Sequence, residues 1–151
     1  ARALAGRLAA VLLEHPMANK LYPKAREKFL SALLNIPTDT IKVILLSDAY
    51  TYSDSHEFLS DVSAARLGTD QTLASKTITN GAVDGADSVF AALVAGSNAK
   101  FAALYKDTGV AGTSSLIFYM DTVTGLPMAT NGGDITLQWD NGSYKIFALF
   151  Q

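Results

Sequence analysis

One stretch of the chain gathers the side chains that could do chemistry. From Ser47 to Asp61 the sequence runs SDAYTYSDSHEFLSD, and it sets His56 among Asp48, Asp54, Glu57 and Asp61. An imidazole beside carboxylates is the pattern of a metal site, or of a general base held in one tautomer. Here the pattern stops short of both. No second histidine stands at the spacing of a zinc hydrolase, and no glycine sits where a calcium loop must turn. Asp54 with Glu57 reads instead as a capping box, each side chain taking a free backbone N–H, over a short helix at about 55–60. Phe58, Leu59 and Val62 would tuck that helix onto the core.

Other candidates are thinner. His15 precedes Pro16 at the end of a helical pattern, where the charge of a helix C-terminus explains it. Asp84-Gly85-Ala86-Asp87 offers oxygen ligands for calcium, but a tight turn explains it equally well and no bidentate glutamate follows. Gly112-Thr113-Ser114-Ser115 lacks the G-x-S-x-G form of a nucleophile elbow. The glycine pairs lack the lysine and the strand-to-helix setting of a phosphate loop. No catalytic residue, cofactor site or metal ligand is assigned. Tyr50 and Tyr52, aromatic and set in a polar loop, are the candidates for contact with a partner.

Several elements must position these residues. Leu4, Leu8, Val11 and Leu12 recur at helical spacing in ARALAGRLAAVLLEH, which predicts an amphipathic N-terminal arm over 1–20, broken by Pro16. Its apolar run, Leu8 to Leu13, is too short for a signal-peptide core or a membrane span, and an initiating methionine is expected to have been removed. Pro23 suits a helix first turn, and the pattern predicts a helix to about Leu34, ended by Asn35 and Pro37. The β-branched run Thr40–Leu46 predicts a buried strand.

Beyond Ala65 the pattern is β with frequent turns. Strands are expected at 66–70, 73–79, 88–93, 100–106, 115–121, 135–139 and 144–150. Asn141-Gly142 predicts a two-residue hairpin with Trp139 opposite Tyr144, Leu137 opposite Ile146 and Ile135 opposite Ala148. The fold class is therefore mainly β (α+β): an antiparallel β-sandwich or barrel over 21–151, with two N-terminal helices and one short inserted helix.

Composition narrows function by exclusion. The chain has 151 residues, no cysteine, and 12 basic against 14 acidic side chains without a long run of one sign. That balance leaves no electrostatic footprint for nucleic acid. Only 17% of residues are charged, while alanine (23) and threonine (13) are abundant. Because interface cores are depleted in charge, this leans toward a subunit of a larger assembly.

The strings LYPKAREKFLSALL, TDTIKVILLSDAYTYSDSHEFLSDV, KTITNG, LYKDTG, DTVTGLP and NGGDITLQWDNGSYKIF occur in that order. Together they resemble small structural proteins of tailed bacteriophages, over roughly 21–150. The resemblance implies a virion component, and within that group a head decoration, or cement, protein on the outer face of the capsid. It implies the major capsid protein as partner, a homotrimer at threefold positions, and no catalysis, nucleic acid or membrane. It carries no catalytic residues across. The arm lies outside it, and Leu4, Leu8, Val11 and Leu12 either dock on a neighbour or fold back on their own domain. Three alternatives share this sequence: a tail component (tube, baseplate or fibre module), a carbohydrate-binding sandwich using Tyr50, Tyr52 or Trp139, and a hydrolase built on His56.

Overall fold

A computed structural model describes residues 19–149. The arm residues Leu4, Leu8, Val11 and Leu12, and His15, lie outside the described residues. Among those described, one α-helix, α1 (Pro23–Leu30), precedes a mainly β fold. The strands are β1 (Lys20–Leu21), β2 (Ile41–Ser47), β3 (Arg66–Thr72), β4 (Thr77–Thr79), β5 (Ala82–Asp84), β6 (Ser88–Phe90), β7 (Asn98–Lys106), β8 (Leu116–Met120), β9 (Met128–Ala129), β10 (Ile135–Leu137) and β11 (Phe147–Ala148). All strand pairs are antiparallel. The main sheet runs β1-β8-β7-β2-β3, with β9 pairing a second stretch of β7; β10-β6 and β11-β5-β4 form two smaller sheets.

The apolar run after Thr40 becomes β2, bonded to β7 on one side and β3 on the other. Val43, Ile44, Leu45 and Leu46 are all fully buried. Both faces of this strand are covered, so hydrophobic residues occupy successive positions instead of alternating. Each such side chain is worth about 1.5–3 kcal/mol on burial. Phe147 ties a small sheet to this core: its ring stacks on Phe118 of β8 at 5.0 Å and meets Phe29 of α1 at 6.4 Å.

Three sequence expectations need correction. The helix starting at Pro23 stops at Leu30 rather than Leu34. Ala32 takes a left-handed φ of 57°, which lets the Leu33 N–H return to Lys28 O at 2.8 Å and the Ala32 N–H reach Phe29 O at 3.2 Å. This is a Schellman closure built on alanine, where sequence reading looks for glycine or asparagine.

The helix expected over 55–60 is replaced by two 3₁₀ turns, Leu59–Asp61 and Ser63–Ala65. Asp61 supplies the cap: its Oδ2 accepts the N–H groups of Glu57 (2.8 Å) and Phe58 (2.9 Å). The Asp54 carboxylate turns away to Tyr52 and Lys20.

The Asn141-Gly142 hairpin does not form. β10 pairs with β6, placing Ile135 opposite Phe90 and Leu137 opposite Ser88, while β11 pairs with β5. Two side chains explain the change. Asp87 Oδ1 accepts the Trp139 N–H at 3.0 Å, and Asp140 Oδ1 accepts the Gly142 N–H at 3.1 Å. These bonds hold the 139–142 backbone in a side-chain-capped loop in place of the two-residue hairpin turn. Trp139 is buried, its Nε1 donating to Ala86 O at 2.8 Å, whereas Tyr144 is 61% exposed.

Candidate functional site

The loop richest in reactive side chains closes over the end of the main sheet and builds a cluster of phenols. Tyr22, just ahead of Pro23, is fully buried because β1 and the start of α1 pack it against β8. Its hydroxyl lies 2.9 Å from Tyr50 Oη, and Tyr50 Oη lies 2.9 Å from His56 Nδ1. Each hydroxyl proton is used once if Tyr22 donates to Tyr50 and Tyr50 donates to the imidazole, which places the histidine proton on Nε2. Tyr119 of β8 completes the group, its ring 4.8 Å from Tyr52, 5.7 Å from Phe101 and 6.0 Å from Tyr50. Tyr22 and Tyr52 stack at 5.3 Å.

Toward solvent the cluster becomes charged. Tyr52 donates to Asp54 Oδ1 at 2.7 Å, and the Lys20 ammonium sits 4.2 Å from the Tyr52 ring centroid and 3.3 Å from the same carboxylate. The Tyr52 hydroxyl and then Lys20 hold the Asp54 carboxyl below its ordinary range. Nearby, Lys28 of α1 pairs with Glu57 at 2.9 Å, donates to Ser115 Oγ at 2.8 Å and lies over the Phe58 ring. Helix, loop and β8 are thereby held at one corner.

The electrostatics favour neutral phenols. Burial pushes Tyr50 up to about 12, with the negative charge of Asp61 adding to it and the hydrogen bond from Tyr22 opposing it. Burial also raises Tyr22, Tyr52 and Tyr119 well above the ordinary tyrosine value. A phenol that holds its proton this firmly is a hydrogen-bond donor at neutral pH and a poor nucleophile. The arrangement works as a polar, aromatic staple on the loop.

The structure sorts the sequence candidates. It brings Tyr50, Tyr52, His56 and Asp54 together and leaves Asp48 apart, its Oδ2 facing Asn98 Nδ2 at 3.4 Å. Tyr50 is a core residue, 7% exposed, and Tyr52 is half-buried. No group of three or more His, Cys, Asp or Glu side chains is disposed to hold a metal ion among the described residues. In the 84–87 turn, Asp84 Oδ1 accepts the Gly85 N–H and Asp87 serves Trp139. Ser114 is fully buried, its Oγ accepting from Thr108 N–H at 3.0 Å and donating to Val110 O at 2.9 Å, so that turn consumes its own hydroxyl.

Sequence reading missed Tyr22, Tyr119 and Lys20. Tyr22 reads as the residue before a helix-starting proline, and Tyr119 as one more apolar strand position. A signal exists in hindsight: four of the six tyrosines lie at 22, 50, 52 and 119, beside positions the fold brings to one corner. No helix among the described residues is long and apolar enough to cross a membrane. No protein-family model matches the chain, and no curated protein matches it.

Proposed function

We propose that this chain is a virion structural protein of a tailed bacteriophage, a cement subunit that binds the outer face of the assembled head. The ordered strings from LYPKAREKFLSALL to NGGDITLQWDNGSYKIF support the class. The observation that carries the role is apolar exposure on a chain poor in charge. Leu30 is 91% exposed and Val94 85%, with Leu33 and Val110 at 60% each. Large aliphatic side chains standing this far into water are cheap to desolvate, and removing them from solvent gains roughly 25 cal/mol per Å².

A subunit that binds only the assembled lattice shifts the equilibrium toward the intact shell. Weak contacts repeated by symmetry add up without chemistry. The partner is the major capsid protein, and a homotrimer would match threefold positions on the shell. The same reading takes the fold as a β-sandwich over a closed barrel. The open path of the main sheet, ending on β1 and β3, supports that choice, with the two small sheets as the second layer.

Quantitative mass spectrometry of purified virions, with heads and tails separated, tests the proposal. A copy number comparable with the major capsid protein, confined to heads, is the expected result. A few copies confined to tails would replace it with a tail component, and absence from both fractions would overturn it.

A further inference from the structure

A groove of about 600 Å³ lies between β1, at one edge of the main sheet, and the segment 138–148. That volume is within the range of small-molecule sites. Its wall is largely polar. Thr124 and Gln138 meet at an isolated antiparallel bridge, where the Gln138 N–H donates to Thr124 O at 3.1 Å, and both residues are exposed. Opposed in this way, they bring a hydroxyl and a primary amide together on the groove wall. Asp140 and Tyr144 line it too, and Tyr144 is 61% exposed.

Tyr144 stands here because the local hairpin is refused. A two-residue turn at Asn141-Gly142 would lay it against Trp139. Instead Lys145 takes a left-handed φ of 52°, its N–H returning to Gly142 O at 3.3 Å while the Ile146 N–H donates to Val83 O at 3.0 Å. Lysine rarely adopts that conformation. The chain departs from its local preference at the point where it turns an aromatic side chain out beside a groove, and such departures gather at functional sites.

We propose that this groove binds a neutral oligosaccharide, with the Tyr144 ring as its stacking platform and the Gln138 amide, the Thr124 hydroxyl and the Asp140 carboxylate as partners for sugar hydroxyls. A pyranose presents C–H groups on its face and hydroxyls around its rim, each hydroxyl both donating and accepting. The tyrosine ring supplies an apolar face to the first, and the amide and hydroxyl supply donors and acceptors to the second. Charge decides for a neutral ligand. Both ammonium groups at the groove are already matched by carboxylates, Lys20 by Asp54 at 3.3 Å and Lys145 by Asp84 at 4.0 Å. No spare cation among the described residues lining the groove is left for a phosphate or a carboxylate, and Asp140 would repel one. An apolar ligand would bury the polar wall without partners. The aromatic platform is therefore neither Tyr50 nor Trp139, which the fold places in the core. The groove also shares no residue with the exposed Leu30, Leu33, Val94 and Val110, so it is a second surface beside the one assigned to the capsid.

The test uses the full chain, purified without virions, so its outcome is independent of where the protein sits in a particle. The chain is applied to an array of neutral oligosaccharides of glucose, galactose, mannose and N-acetylglucosamine, together with sialylated and phosphorylated glycans, and the strongest neutral glycan is titrated by calorimetry. At least one neutral glycan should bind saturably, and Tyr144→Ala should weaken it roughly tenfold. Gln138→Ala should weaken it as well, while Val94→Ala, which lies outside the groove, should leave it unchanged. No binding to any neutral glycan, or binding to acidic glycans alone, would overturn the proposal. Neutral binding that survives both Tyr144→Ala and Gln138→Ala would overturn it by placing the site elsewhere. Should Tyr144→Ala fail to fold, the side-chain amide resonances of Gln138 in the unaltered chain decide: a shift on adding the glycan supports the groove, and no shift overturns it.

Discussion

Tyr50 Oη stands 2.9 Å from Tyr22 Oη and 2.9 Å from His56 Nδ1, so one hydroxyl joins the start of the helix to the loop that crosses it. Tyr50→Phe keeps the ring and deletes this junction. It leaves the fully buried Tyr22 hydroxyl without an acceptor. An unsatisfied buried donor costs about 1–3 kcal/mol, and urea unfolding should show that loss. Tyr22→Phe should cost less, because Tyr50 keeps its bond to the imidazole. Equal stabilities of Tyr50→Phe and the parent would show that the hydroxyls do not act as a chain.

Tyr119 gives the opposite expectation from the same cluster. It is fully buried, and among the described residues its hydroxyl has no hydrogen-bond partner. Burying that group already carries a desolvation cost, so Tyr119→Phe should leave stability unchanged or raise it by about 1 kcal/mol, read as a higher Tm. A fall of more than about 1 kcal/mol would mean that a buried water satisfies the hydroxyl.

The contrast between these tyrosines marks the limit of what was legible in the sequence. β2 was legible because its burial signal is local, a β-branched run flanked by turn residues. The helix start at Pro23 was legible for the same reason. Its end was not, since the closure on Ala32 depends on a backbone conformation that alanine does not advertise. The Asn141-Gly142 hairpin misled because β10 pairs with β6, far away in the chain, and Asp87 ties down the Trp139 N–H just beyond that pair. Most of the phenol cluster was invisible for a related reason. Tyr50, Tyr52 and His56 are close in sequence, but Tyr22 and Tyr119 reach them only through the pairing of β1 with β8.

Asp61 sets a pH dependence. The backbone N–H of Phe58 first, then that of Glu57, holds its carboxyl below the ordinary value of 3.8, with His56 contributing in the same direction. A folded-state pKa that is depressed gives stability that is fully present above the unfolded value and is lost as pH falls through the folded one. Asp61→Asn keeps an acceptor oxygen but loses the charge, and should therefore cost about 1 kcal/mol at neutral pH, the difference between a charged and a neutral acceptor. The gap between variant and parent should shrink from about pH 4 downward. Parallel stability curves for variant and parent across that range would refute this role for the carboxylate.

Gly125 tests whether the turn before β9 is fixed by conformation alone or also by space. Its φ is 112°, and a Cβ there would fall 2.2 Å from Thr136 O. The struck atom is backbone, held close by the bond from Gln138 N–H to Thr124 O at 3.1 Å. Gly96 has nearly the same φ, 107°, with nothing within 4 Å of the added carbon. Gly96→Ala should thus report the backbone strain alone, about 1–2 kcal/mol. Gly125→Ala should cost about 2 kcal/mol more, because relief requires moving β10 away from the 122–125 turn. The difference between the two variants, measured by thermal unfolding under one condition, isolates the steric part. If both lose the same stability, the turn is yielding and the close approach of Gly125 to Thr136 does not hold β10 in place.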